Sequence, residues 1–180
     1  MDKPSGWTSH DVVNKIRNIL GVKKVGHTGT LDPMATGVLV LLIGKATKLA
    51  KHFENDTKRY VAEVTFGQAT DTFDSTGKTT ATGVPKNIDL DKLRATIKNL
   101  KGESDQVPPM FSAVKVDGKR LYRLARHGKT VKRKPRRIVI TEIESDFSDF
   151  PRIKLDIECS KGTYIRSIAH ELGEKIGCPA

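Results

Sequence analysis

The residues best equipped for chemistry lie in Gly26-His27-Thr28-Gly29-Thr30-Leu31-Asp32-Pro33, where one carboxylate stands on a glycine-loosened loop immediately before a proline. Pro33 disfavours the helical region for Asp32 and has no backbone N–H, so the carboxylate is presented on extended backbone with one fewer local donor competing for it. Gly26, Gly29 and Gly37 permit backbone conformations closed to other residues and let a ligand come near the main chain. On these eight residues alone, an Asp-Pro surface turn is the simpler reading. The surrounding sequence shifts the balance toward a reactive carboxylate.

Other catalytic inventories are missing. Histidines stand at 10, 27, 52, 127 and 170, with no paired spacing for a metal. Gly44-Lys45-Ala46-Thr47 has its upstream glycine at the wrong distance for a phosphate loop, and no hydroxyl residue follows the lysine. Asp71 and Asp74 lack the alternating oxygens and the glycine of a calcium loop. No Gly-x-Ser-x-Gly or Cys/His arrangement suggests acyl transfer. What remains is a lone carboxylate on a basic scaffold.

That scaffold has 180 residues, with 32 Lys and Arg against 21 Asp and Glu, for a formal charge of +11. Each phosphate neutralised by a cation releases counterions, so an excess of this size suits nucleic acid better than a small metabolite. The 37% hydrophobic and 29% charged content reads as globular. No apolar run approaches the roughly 18 residues that a membrane span needs, and Met1-Asp2-Lys3-Pro4 begins no signal peptide. Cys159 and Cys178 lack ligand spacing and read as reduced thiols, so a cytoplasmic protein is expected.

The elements that must hold Asp32 follow from periodicity. A helix is expected from His10 to Leu20, capped by Ser9, with Val12, Val13, Ile16, Ile19 and Leu20 as its stripe and Gly21 as its end. Val38 to Ile43 is a continuous apolar run that suits a buried strand, and after Gly44 a helix should carry Ala46, Leu49, Ala50 and Phe53 on one side. Tyr60 stands near the start of an alternating strand that runs to Phe66. Gly67 to Val84 reads as loop. Asp89 opens a helix with Leu90, Leu93, Ile97 and Leu100, and Met110 to Val116 is expected to be extended before a turn at Asp117-Gly118. Leu121 to Ala125 suggests a short helix closed by Gly128. Strands at Arg136–Ile143 and Arg152–Cys159 precede a last helix bearing Ile165, Ile168, Ala169, Leu172 and Ile176. The pattern is one mixed α/β domain without regular βαβ units.

Lys3-Pro4-Ser5-Gly6-Trp7-Thr8-Ser9, Gly26 to Pro33, Lys58-Arg59-Tyr60, Thr70-Asp71-Thr72-Phe73-Asp74, Pro108-Pro109-Met110-Phe111-Ser112-Ala113 and Lys161-Gly162-Thr163-Tyr164-Ile165-Arg166 stand in order across nearly the whole chain. In that order these six segments resemble the motifs of the TruB family of tRNA pseudouridine synthases. The Thr-Asp-Thr-Phe-Asp loop looks like that of the bacterial members, which isomerise uridine 55 in the T loop of tRNA, whereas related archaeal and eukaryotic enzymes are guide-dependent. A non-catalytic RNA-binding or RNA-folding module on the same scaffold is the other rival.

The resemblance implies an α+β fold with a mixed, largely antiparallel sheet flanked by helices, no cofactor and a T stem-loop partner; no metal is expected from the residue spacing, and a monomer is the expected state. It implies that Asp32 is the catalytic aspartate, acting on a uridine extruded from its loop. Tyr60 resembles the tyrosine that stacks on the target base, and a core aromatic is its alternative. Arg166 resembles the arginine that pairs with the aspartate; a guanidinium there would favour the charged carboxylate and fix its rotamer. A solvated arginine is the alternative, though cations are disfavoured at a helix N-terminus. His27 resembles a histidine near the flipped base and Tyr164 a tyrosine of the uracil pocket. Lys3 matches the family's Lys-Pro motif, with substrate contact or support of the loop both open.

Residues 102–128 resemble the family's RNA-clamping insertion, and Lys129 to Arg137 packs six cations into nine residues. Lys132, Arg133, Lys134, Arg136 and Arg137 are the candidates for phosphate contact, against the plainer reading of a solvated hairpin. Residues 1–180 are expected to be the catalytic domain, truncated at both ends relative to the family.

Overall fold

The computed structural model describes residues 1–53 and 57–180, which fall into two compact units, Met1–Asp56 and Thr57–Ala180. The first contains β1 (Asp2–Lys3), α1 (Ser9–Leu20), β2 (Val25–His27), β3 (Gly37–Val38), β4 (Leu41–Ile43), a 3-10 turn over Gly44–Leu49 and the short α2 (Ala50–Phe53). α1 starts one residue earlier than its sequence suggests, because Thr8 and not Ser9 caps it. The Asp11 amide donates to the Thr8 hydroxyl at 3.1 Å while the Thr8 amide donates to the Asp11 carboxylate at 2.8 Å, a reciprocal capping box. Gly21, at φ 61, ends the helix in the left-handed region. Val12 and Val13 are buried, whereas Ile19 and Leu20 at the end of the expected stripe are exposed.

The apolar run from Val38 to Ile43 is not one buried strand. Its halves take different partners, with Gly37–Val38 on Asp2–Lys3 and Leu41–Ile43 on Val25–His27. Leu39 and Leu42 are buried, but Val38 is 81% exposed. Nor does an amphipathic α-helix follow Gly44. The Thr47 hydroxyl donates back to the Gly44 carbonyl at 2.8 Å, a local bond that competes with helical pairing, and neither Leu49 nor Phe53 is buried.

The second unit contains β5 (Lys58–Thr65), β6 (Gln68–Thr70), β7 (Thr79–Thr82), a 3-10 turn at Pro85–Asn87, α3 (Leu90–Lys98), β8 (Gly102–Gln106), β9 (Lys115–Val116), β10 (Lys119–Arg120), α4 (Leu121–Arg126), β11 (Arg136–Asp146), β12 (Arg152–Cys159) and α5 (Ile165–Ile176). An antiparallel sheet of order β5-β12-β11-β8 forms its centre. Ile153, Leu155, Ile157 and Cys159 alternate onto the covered face, where they join Val64, Leu93, Ile97, Ile168 and Leu172 in one core. α3 and α5 supply the covering residues. The opposite face is charged, and the Arg59 guanidinium grips Asp156 across the strands at 2.8 and 3.0 Å. Every strand pairing among the described residues is antiparallel, as the α+β reading requires.

Three stretches depart from expectation. Gly67 to Val84 is not plain loop, since Gln68–Thr70 and Thr79–Thr82 pair as a hairpin. Gly102–Gln106 is an edge strand whose Gly-Glu-Ser-Asp-Gln sequence offers no apolar alternation to reveal it. Between Met110 and Val116 only Lys115–Val116 is strand, closed by a turn in which both Asp117 (φ 49) and Gly118 (φ 76) are left-handed.

Candidate active site

In the first unit, the loop that carries Asp32 is held through its own backbone atoms, chiefly by side chains of the Lys3 to Ser9 segment. The Ser9 hydroxyl accepts from the Leu31 amide at 2.9 Å and donates to the Leu31 carbonyl at 3.2 Å. The Pro33 carbonyl accepts from the Gly6 amide at 2.8 Å and from the Lys3 ammonium at 3.1 Å. The Ser5 hydroxyl donates to the Met34 carbonyl at 3.2 Å, and the Ala35 amide closes a turn onto the Asp32 carbonyl at 3.0 Å. Asp32 is thus bracketed on both sides by bonds from the Lys3 to Ser9 segment, and its side chain is half-buried.

Lys3 is completely buried, at 0% exposure. Its ammonium also donates to the carbonyls of Pro4 at 2.9 Å and Trp7 at 2.7 Å, so its three protons meet three carbonyl acceptors. Burial pulls its pKa down, while the nearby charges of Asp32 and Asp11 pull it up. Of the two roles open for Lys3, this geometry describes support of the loop, with the ammonium sealed from solvent. The glycines act differently from expectation as well. Only Gly37, at φ 111, takes a left-handed backbone, whereas Gly26 and Gly29 do not. The loop is shaped by side-chain bonds to its carbonyls more than by glycine freedom.

His27 ends β2, paired with Leu41. Burial holds its imidazole below the ordinary 6.5; the Gly29 backbone opposes this and the charge of His10 adds to it. Its Nδ1 is buried without a hydrogen-bond partner among the described residues. A neutral, partly enclosed imidazole beside the loop is what results.

In the second unit, Arg166 stands in the first turn of α5. It donates to the Thr72 carbonyl at 3.1 Å and to the Phe111 carbonyl at 2.7 Å, which ties together three segments far apart in sequence. These acceptors offset the unfavourable placement of a cation at a helix N-terminus, and the solvated-arginine reading fails. Tyr164, the residue before the helix, has its backbone clamped by the buried Gln106 amide. The Tyr164 amide donates to Gln106 Oε1 at 2.8 Å and Gln106 Nε2 donates to the Tyr164 carbonyl at 3.1 Å. The Arg166 guanidinium lies 5.7 Å from the Tyr164 ring centroid. Tyr60 is half-buried on the inward face of β5 and packs against the core. Gln106 and the hold of Ser9 on Leu31 escaped sequence reasoning: a lone Gln in a polar stretch and a Ser beside a better cap give no periodic signal.

The cations are concentrated further along this unit. From Lys115 to Arg137 the chain has eleven Lys and Arg against a single Asp, a net +10 out of +11 for the whole chain. Lys132, Lys134 and Arg136 are exposed. Arg133 donates to the Pro108 carbonyl at 3.1 Å, and Arg137 is paired with Glu103. The Tyr122 hydroxyl is pulled below the usual phenol range by a hydrogen bond with Arg123, with Arg120 adding, while Arg126 lies 5.4 Å from its ring.

A family model described as the TruB family pseudouridylate synthase N-terminal domain matches residues 17–165. The chain is 48% identical over its whole length to a tRNA pseudouridine synthase B of Syntrophotalea carbinolica, covering 59% of that protein. It is 46% identical to a protein of the same name from Bacillus subtilis, covering all of this chain and 60% of the relative. The chain therefore spans about three fifths of the curated relatives it matches. Among solved structures, a Cbf5-Nop10-Gar1 complex aligns over 99% of this chain and 44% of its own at TM-score 0.72 and 31% identity. An H/ACA RNP bound to a substrate RNA containing 2'-deoxyuridine aligns over 99% and 42% at TM-score 0.67 and 28% identity. With a motif-bearing loop, an antiparallel α+β scaffold and a family match over most of its length, this chain belongs to the TruB family of pseudouridylate synthases.

Proposed function

We propose that this chain carries the catalytic centre of a tRNA pseudouridine synthase that isomerises uridine 55 of the T loop, with Asp32 as its nucleophile or base. The observation that carries the reading is the bracketing of Asp32: four side-chain or backbone donors from Lys3 to Ser9 fix the carbonyls on either side of one carboxylate. Such fixation is what a reacting group needs, since misplacement of about 1 Å costs about 10²-fold in rate. The target base must leave its stack to reach the carboxylate. The N1–C1′ bond then breaks, the base turns, and C5 bonds to C1′; the C5 hydrogen leaves and N1 takes up a proton, so composition is unchanged and no cofactor is required. Asp32 serves by attack at C6, attack at C1′ or removal of a ribose proton.

In this reading Arg166 pairs with Asp32, Tyr60 stacks on the base, and Tyr164 and His27 line its pocket. Residues 102–128 clamp the RNA, and the exposed Lys132, Lys134 and Arg136 hold phosphates. The protein works as a cytoplasmic monomer. The test is Asp32→Asn assayed on a T stem-loop RNA: binding should persist and pseudouridine formation should vanish. A variant that still converts the RNA at the normal rate removes Asp32 from the chemistry. The likeness to an RNP bound to a substrate RNA motivates a second reading, a guide-dependent synthase acting on ribosomal RNA. That reading requires no conversion of free tRNA and conversion only with a guide RNA added.

A further inference from the structure

We propose that His170 is a positioning residue for the reaction, acting by stacking on Phe73 and thereby holding the loop whose carbonyl receives Arg166. The inference rests on the proposed pseudouridine synthase activity. His170 lies outside every segment that carries the family resemblance. Its ring is stacked on that of Phe73, with centroids 3.8 Å apart and planes inclined by 11°. Phe73 is at φ 63, a left-handed conformation that an aromatic residue adopts only when its surroundings compel it.

The register on α5 gives the stack its consequence. Arg166 and His170 are four residues apart, so they share one helix face a turn apart. They engage adjacent residues of one loop: Arg166 donates to the Thr72 carbonyl at 3.1 Å, and His170 covers the ring of Phe73. The loop is also tied within itself. The Thr70 hydroxyl donates to the Asp74 carbonyl at 2.7 Å, the Thr72 hydroxyl to the Asp74 carboxylate at 2.8 Å, and the Lys78 amide to the Asp71 carboxylate at 2.8 Å. It therefore moves as one body. If the stack is lost, the loop loses its side-chain tether to α5 beside Arg166, and the Thr72 carbonyl is no longer held against the guanidinium. Glu174 lies one turn further on, its Oε1 3.6 Å from His170 Nε2, but the stack needs a flat ring rather than a charge.

The experiment compares His170→Ala, His170→Phe, Phe73→Gly and Glu174→Gln in the full-length protein, reading kcat and KM as tritium released from T stem-loop RNA labelled at C5 of uridine. Thermal unfolding is followed in parallel. His170→Ala should lower kcat about tenfold with KM within about twofold, since the guanidinium is misplaced while the RNA surface is untouched. His170→Phe restores the flat ring and should recover kcat to within about twofold. Glu174→Gln should leave kcat unchanged. Phe73→Gly removes the ring yet suits the left-handed backbone, so it should fold and lose turnover like His170→Ala. The inference is overturned if His170→Ala turns over normally, if its loss falls in KM, if His170→Phe is no better than alanine, or if Phe73→Gly keeps full turnover. A wild-type protein that releases no tritium removes the proposed function and this inference with it; an active wild type with any of the four results above overturns this inference alone.

Discussion

Ser9→Ala separates the two functions that the start of α1 performs. The Ser9 side chain is 2% exposed, and its single hydroxyl satisfies both the amide and the carbonyl of Leu31, the residue before Asp32. A lost neutral hydrogen bond costs about 1 kcal/mol, and a buried group left unpaired costs about 1 to 3 kcal/mol. Leu31 is half-buried, so water recovers part of its loss, and the expected destabilisation is about 2 kcal/mol. Thr8→Ala is the matched control, because Thr8 is the true cap of the same helix and truncating a cap costs about 1 kcal/mol. The variants should differ more in turnover than in stability. If most of the Ser9→Ala loss is expressed as displacement of the Asp32 loop, kcat falls about tenfold, since about 1.4 kcal/mol is one decade in rate. Thr8→Ala should keep its kcat. Urea unfolding gives the stabilities and tritium release from C5-labelled T stem-loop RNA gives the rates. Equal stabilities with normal turnover in both variants would refute the claim that the Ser9 clamp places Asp32.

Two further outcomes are expected. The unfolded chain protonates His27 more readily than the folded one, because burial depresses the imidazole below its ordinary 6.5 in the fold. The His27 contribution is therefore complete above about pH 6.5 and declines as pH falls toward the depressed folded value. His27→Gln should flatten the fall of Tm over that window, and parallel curves for the two proteins would refute the assignment. RNA binding should weaken with salt, at a slope of about 0.7 to 0.9 per phosphate contact. Lys132→Ala with Arg136→Ala should reduce that slope by about 1.5, uniformly across RNA sequences. Arg133→Ala should change it little because Arg133 already serves the Pro108 carbonyl; an unchanged slope in the double variant would remove these cations from the interface.

The fold was legible wherever burial imposed a period. β12 alternates Ile153, Leu155, Ile157 and Cys159 against charged residues because one face of its sheet is covered, and α3 and α5 carry helical stripes for the same reason. Legibility failed where hydrogen bonds replaced burial as the organising force. β8 is polar because it lies at the sheet edge, and the apolar Val38 to Ile43 run divides between two partners that no local pattern names. Asp32 could be picked out by its loop and its resemblance to a family motif. The means by which it is held could not, because Lys3, Ser5 and Ser9 act on carbonyls some 22 to 30 residues away, and a carbonyl has no letter in the sequence.

That limit has a physical consequence for both units. The functional side chains stand on backbone that regular pairing does not define, so each depends on polar groups bonding to main-chain oxygens: Lys3 to Pro33, Ser9 to Leu31, Arg166 to Thr72 and Phe111, Gln106 to Tyr164. A hydrophobic contact constrains distance loosely, whereas a hydrogen bond weakens steeply with angle and so fixes orientation. In the proposed reaction, orientation is what a carboxylate acting on one atom of a flipped base requires. Substitutions among these polar positions should therefore fall on kcat more than on the cooperativity of unfolding, whereas substitutions of Leu155 or Ile157, both fully buried, should fall on stability first.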